Sequence, residues 1–324
     1  MQDGKIIENI FSRALSFNDN ALKIFQLQSR ENGIYHNWCR QMGIIVNEVY
    51  RKDQIPFLPV SFFKTHVVTT GNFNPQTIFQ SSGTTEQIRS SHYIKDTAIY
   101  RKSFLTCFQQ FYGDIKNYCV LALLPSYSPG SSLVMMAEEL IRLSGHVCSG
   151  FYAGEEEKLY SVLQQMEAAG QPTILLGVSF ALLDFAEKFP MTLTHTIVME
   201  TGGMKGRKKE ITRQELHHIL KAKFNLNQIH SEYGMTELLS QAYSKKDGLF
   251  YCPPWMKVLV RNENDPLLVS VEGKGLLNII DLANINSCAF IATDDAGEVY
   301  EDGSFEVNGR QDASDLRGCS LLMA

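Results

Sequence analysis

YCVLALL at 118–124, PSYSPGSS at 125–132 and LVMMAEELIRL at 133–143 form the stretch that decides the fold. A short uncharged run, rich in Leu and Val, stops at Pro125. It predicts a buried strand running into a turn-rich loop. Leu133, Ala137, Leu140 and Ile141 then recur at helical spacing. Working outward, the alternation repeats. His146–Tyr152 reads as a strand, Leu159–Met166 as a helix and Thr173–Val178 as a strand. Phe180–Phe189 reads as a helix and Thr194–Met199 as a strand. Thr212 to Phe224 reads as a helix, with Thr212 and Glu215 as a capping box. Short apolar strands alternating with helices predict an α/β fold, with a mostly parallel sheet covered on both faces.

The flanks differ. Ile6, Ile7, Ile10, Phe11 and Leu15, then Leu22, Ile24 and Phe25, predict helices over 1–50, and Asp53–Pro59 a connection. From 249 to 307 short alternating runs are broken by Gly, Asn and Asp. Glu301–Asp302–Gly303 marks a hairpin in this antiparallel part. We expect one domain: a helical segment at 1–60, an α/β body at 61–240, a β-rich part at 241–310 and a tail at 311–324.

Bulk properties set limits. Of 324 residues, 44% are hydrophobic and 20% charged, with a net charge of −5. That fits a globular chain and argues against a general nucleic-acid binder, which needs a basic face. No apolar run approaches the roughly 20 residues of a spanning helix. The start MQDGKIIENIF does not read as a signal peptide. A cytoplasmic location is expected. The seven cysteines are scattered with no CxxC, which argues against a disulfide framework or a structural zinc site.

Ligands of open α/β sheets bind beyond the carboxyl ends of the strands, so the loops at 125–132, 201–207 and 231–237 matter most. Each candidate has a plain reading beside a functional one. SSGTT at 81–85 offers hydroxyls and backbone N–H groups to an anion, or is a polar turn. HSEYGMTELLS at 230–240 offers Tyr233 to a base, Thr236 to a phosphate and Glu237 to Mg²⁺. It also reads as a strand-to-helix corner capped by Thr236. METGGMKGR at 199–207 lets backbone approach a ligand at its glycines, or is an ordinary turn. TDDAGEVYEDGSFEVNGRQD at 293–312 carries Asp294 or Asp295 for a ribose and Arg310 for a phosphate or ribose, or is a charged hairpin. His217 and His218 are helix neighbours and do not share a face. His195 and His230 read as structural.

The ordered set resembles the adenylate-forming superfamily, which includes acyl-CoA synthetases and peptide-synthetase adenylation domains. The likeness runs from about 79 to 318. It implies the superfamily's larger domain and an ATP phosphate loop at Ser81, Ser82, Gly83, Thr84 and Thr85. It places Tyr233 and Gly234 at the adenine, with Gly202 and Gly203 beside it. Thr236 is implied at the phosphate, Glu237 at Mg²⁺, Asp295 at the ribose, and Arg310 as the Arg of G-R-x-D. The superfamily's Gly-x-Pro-Lys is here Glu86–Gln87–Ile88–Arg89, with Arg89 as the substitute cation, and its T-G-D is Thr293–Asp294–Asp295. The mobile C-terminal domain that usually follows G-R-x-D is expected to be absent.

RGCS at 317–320 is similar to the end of the acyl-protein synthetases (LuxE-type) of bacterial fatty-acid reductase complexes, and PVSFFKT at 59–65 also looks like that branch. This likeness implies Cys319 as an acyl-carrying thiol, a fatty acid as substrate and a reductase as recipient. A ligase that passes acyl groups to CoA or a carrier-protein thiol, and a nucleotide-binding subunit without catalysis, stay open as alternatives.

Overall fold

The computed structural model describes the backbone of residues 2–12, 14–81, 88–125, 130–202, 211–262, 265 and 267–310. The helices are α1 (Gln2–Ser12), α2 (Phe17–Glu31), α3 (Gly33–Gln41), α4 (Phe62–Thr65), α5 (Thr97–Tyr112), α6 (Ser132–Ser144), α7 (Glu156–Ala169), α8 (Ser179–Lys188) and α9 (Arg213–Phe224). The first strands are β1 (Leu58–Pro59), β2 (Thr77–Gln80), β3 (Ser91–Ile94), β4 (Cys119–Leu123), β5 (Gly150–Phe151), β6 (Thr173–Val178) and β7 (Thr196–Thr201). The others are β8 (His230–Tyr233), β9 (Ala242–Ser244), β10 (Met256–Arg261), β11 (Val269–Ser270), β12 (Gly273–Asp281), β13 (Phe290–Val299) and β14 (Phe305–Arg310). They fall into two compact units, one of residues 1–99, 237–239 and 251–324, the other of 100–236 and 240–250.

The second unit is the predicted α/β sheet. Its order is β5-β4-β6-β7-β8-β9, parallel except for β9. β4 is buried at every position and β6 at all but its last. That is why their sequences run apolar without alternation. Leu121, Leu175 and Val198 of the strands pack with Leu159 and Leu163 of α7, Leu182 and Phe185 of α8, and Leu216, Leu220 and Phe224 of α9. The capping box of α9 forms as read: Thr212 Oγ1 accepts from Glu215 N, and Glu215 accepts from Thr212 N. The predicted 146–152 strand shrinks to Gly150–Phe151, because His146–Ser149 turns with Val147 in solvent.

The first unit holds a sheet in the order β1-β13-β12-β10-β11, with β14 also on β13. It is antiparallel except for β1 on β13. The connection at 53–59 thus ends in a short strand, with Leu58 opposite Ile291. The hairpin at 301–303 is present: Gly303 takes a φ of 81° and its N–H donates to the Tyr300 carbonyl. Phe25 and Tyr35 of α2 and α3 pack on Phe290 of β13. β2 and β3 form a separate hairpin. Among the described residues, no helix is long and apolar enough to cross a membrane.

Candidate functional site

In the α/β unit, Gly202 and Tyr233 lie at the carboxyl ends of two neighbouring strands. β7 and β8 run side by side, with Thr201 opposite Glu232 and Glu200 opposite Ser231. β7 is followed by Gly202, whose φ of 70° is one that other residues rarely adopt. Its carbonyl accepts from Ser179 Oγ at 2.8 Å. β8 ends at Tyr233 and Gly234 follows it, so Gly202 and the YGMTE motif lie at adjacent carboxyl ends. No helix follows. The chain turns and returns as β9, with Tyr233 opposite Ala242. The strand-to-helix corner is therefore replaced by a turn between antiparallel strands. Tyr233 is 8% exposed, and its ring meets Phe250 edge-on at 5.8 Å.

Behind these strand ends lie two buried carboxylates that the sequence reading passed over, Glu200 and Glu232. Glu200 accepts from Ser179 Oγ at 3.0 Å and Arg213 Nε at 3.0 Å, and His217 Nε2 stands 3.6 Å away. Burial pushes its pKa up, but His217, Arg213 and Ser231 outweigh that and hold it below the ordinary value. Glu232 takes the hydroxyl of Thr201. Burial lifts its carboxyl to about 7; the charge of Glu200 adds to the rise and the Thr201 hydrogen bond opposes it. A Cβ on Gly234 would stand 2.6 Å from Glu232 Oε1. A side chain at the glycine of YGMTE would thus have to displace the carboxyl two residues earlier. The signal for this pair was a single acidic residue inside each of two short strands, TIVMET and HSEY.

His217 is buried beside Ser231 while His218 is exposed, as their adjacency on a helix requires. His230 is buried with its ring 3.1 Å from Tyr112 Oη, and burial lowers its pKa to about 4. His195 lies just before β7, at the end away from Gly202.

In the first unit, β2 and β3 flank the hydroxyl loop. Ser81 N donates to the Ser90 carbonyl at 3.1 Å, and Ser90 N to Ser81 Oγ at 3.0 Å. Arg89 is exposed at the base of the loop. Ser82, Gly83, Thr84 and Thr85 lie outside the described residues, as do Gly203 and Cys319. Glu237 is buried and its carbonyl accepts from Asn284 Nδ2 at 2.6 Å. Asp281, also buried and not foreseen, accepts from Leu239 N at 2.7 Å and Ala283 N at 3.1 Å. These bonds fix residues 237–239 of the motif turn. Asp295 and Arg310 come together as a register pair of β13 and β14, with Nε and Oδ1 3.8 Å apart.

The fold is that of the adenylate-forming enzymes. ATP-bound MatB from Rhodopseudomonas palustris matches with a TM-score of 0.53 at 16% identity, over 72% of this chain and 47% of that one. O-succinylbenzoate coenzyme A synthetase from Bacillus subtilis, in complex with ATP and magnesium, gives 0.51 at 15%, over 74% and 51%. A long-chain-fatty-acid-CoA ligase from Archaeoglobus fulgidus gives 0.52 at 14%, over 75% and 53%. The chain spans about half the length of these structures. No curated protein matches it in sequence. The family described as "Acyl-protein synthetase, LuxE" matches residues 12–324, and the chain belongs to that family.

Proposed function

We propose that this protein activates a carboxylic acid with ATP and carries the acyl group on Cys319. The acid's carboxylate attacks the α-phosphate of ATP, giving acyl-adenylate and pyrophosphate. The Cys319 thiolate then attacks the acyl carbon, forming a thioester and releasing AMP and the thiol's proton. AMP is a far better leaving group than the oxide a free carboxylate would have to lose. The main support is the family match, which runs through the hydroxyl loop, YGMTE and Cys319.

In this reading Ser81, Ser82, Gly83, Thr84, Thr85 and Arg89 bind the phosphates. Tyr233 and Gly234, with Gly202 and Gly203, border the adenine. Asp295 binds the ribose, and Thr236 and Arg310 contact the reacting phosphate end. Glu237 supplies a hard carboxylate oxygen of the kind Mg²⁺ takes, and would help hold that ion. When bound, Mg²⁺ spreads the charge of the triphosphate. Arg317, separated from Cys319 in the sequence by Gly318, would favour the thiolate. A fatty acid is the proposed substrate, a reductase the proposed acyl recipient, and the cytoplasm the proposed location.

ATP–pyrophosphate exchange over a panel of carboxylic acids tests the first step; exchange with none of them rejects it. Intact mass after incubation with acid and ATP tests the second. Wild type should gain a hydroxylamine-labile acyl group and Cys319→Ser should not. An adduct that persists in Cys319→Ser would move the acyl acceptor elsewhere. Exchange without any adduct would favour transfer to CoA or a carrier thiol.

A further inference from the structure

β12 pairs with β13 at Leu276–Ala296 and again at Asn278–Ala292. Leu277 alone therefore stands opposite Thr293, Asp294 and Asp295. Such a bulge frees backbone groups and re-aims side chains. Arg261, the last residue of β10, spans it. Its Nη1 donates to the Leu277 carbonyl at 3.1 Å and to Asn278 Oδ1 at 2.8 Å, and its Nη2 donates to the Thr293 carbonyl at 2.5 Å. Thr293 Oγ1 donates to the same Leu277 carbonyl at 2.8 Å and accepts from Asp295 N at 3.1 Å. The guanidinium is partly buried; burial lowers its pKa, and the charges of Asp294 and Asp295 offset only part of that cost. Asp294 stands where the superfamily has glycine, so this chain adds a negative charge to the bulge and faces it with an arginine.

We infer that Arg261 is a positioning residue for nucleotide recognition: it rivets the Thr293–Asp295 bulge so that Asp295 presents its carboxylate to the ribose diol. This rests on the ribose role proposed for Asp295. A planar fork reaches acceptors on β12 and β13 at once, which a lysine ammonium does not reproduce.

The test is calorimetric titration of wild type, Asp295→Asn, Arg261→Lys and Arg261→Met with ATP and with 2′,3′-dideoxy-ATP. Wild type should prefer ATP by about ten-fold or more, because a site built for hydroxyls rejects a ligand lacking them. Asp295→Asn should lose most of that preference. Both Arg261 variants should lose it too, through weaker ATP binding, with the dideoxy affinity changed by less than about two-fold. If Asp295→Asn keeps the preference, the ribose reading falls and this inference with it. If Asp295→Asn loses the preference while the Arg261 variants keep it, only the inference falls. Equal weakening of both nucleotides in the Arg261 variants would mark a purely structural role and also overturn it. Should the Arg261 variants not fold, Asn278→Ala removes one acceptor of the fork. It should cost about three-fold in preference, and an unchanged preference overturns the inference.

Discussion

Glu232 directly precedes the YGMTE motif and packs its carboxyl against Gly234. Its carboxyl is fully buried, takes the Thr201 hydroxyl and titrates at about 7, because burial and the Glu200 charge both disfavour ionisation. In the unfolded chain it titrates near its ordinary value of about 4.3. Between those values the unfolded state has released a proton that the folded state keeps. Stability therefore falls as pH rises through that window and levels off above about 7. Glu232→Gln removes this slope. Relative to wild type it should gain about 3 kcal/mol between pH 4.5 and pH 8 in denaturant titrations; parallel stability curves would refute the assignment. Gly234 belongs to the same knot. A Cβ there meets Glu232 Oε1 at 2.6 Å, and that oxygen belongs to a buried carboxyl already held by Thr201. Gly234→Ala should cost about 1–3 kcal/mol. The cost should shrink in a Glu232→Ala background, and a double-mutant cycle with no coupling would contradict it.

At the scale of elements, the turn after β8 is held by Asp281, the last residue of β12. Its two oxygens serve the buried N–H groups of Leu239 and Ala283. Asp281→Ala leaves both without that acceptor, so thermal melts should show a loss of roughly 1–3 kcal/mol per stranded group. A change below about 0.5 kcal/mol would place the turn's anchor elsewhere. What could be read from sequence follows the same division between local and distant causes. β4, β6 and the helices around them were legible because hydrophobic periodicity and the Thr212–Glu215 cap are written within single segments. β9 was not: ELLSQAYS is too short for periodicity to separate a helix from a returning strand. The bulge at Thr293–Asp295 depends on register with β12, which no single segment encodes. Glu200 and Glu232 are charges within strands, yet their association through Thr201 needs the pairing of β7 with β8. The site motifs could be recognised as a set, whereas the buried groups that support them emerged only with the strand pairings.

On the scale of the whole molecule, chain order and compact units do not coincide. The α/β unit runs from 100 to 236 and then takes 240–250 as well, with 237–239 belonging to the other unit. That late piece is integral to it. All of β9 is buried, Tyr243 packs edge-on against Tyr112 at 5.3 Å, and Ser240 Oγ lies 3.0 Å from Ser103 Oγ. The Gln241 carbonyl accepts from Cys107 Sγ. Removing β9 would strip β8 of its antiparallel neighbour and expose the faces of α5 that these residues cover. Burying one large side chain such as Tyr243 is worth about 1.5–3 kcal/mol, a sizeable part of a domain's net stability of about 5–15 kcal/mol. A fragment of residues 100–250 should therefore fold alone and melt in one cooperative transition. A fragment ending at 236, where the motif turn begins, should melt at least about 5 °C lower or without cooperativity. Circular dichroism melts of the two fragments decide the matter: equal midpoints would mean that β9 is an ornament of the sheet rather than part of its core.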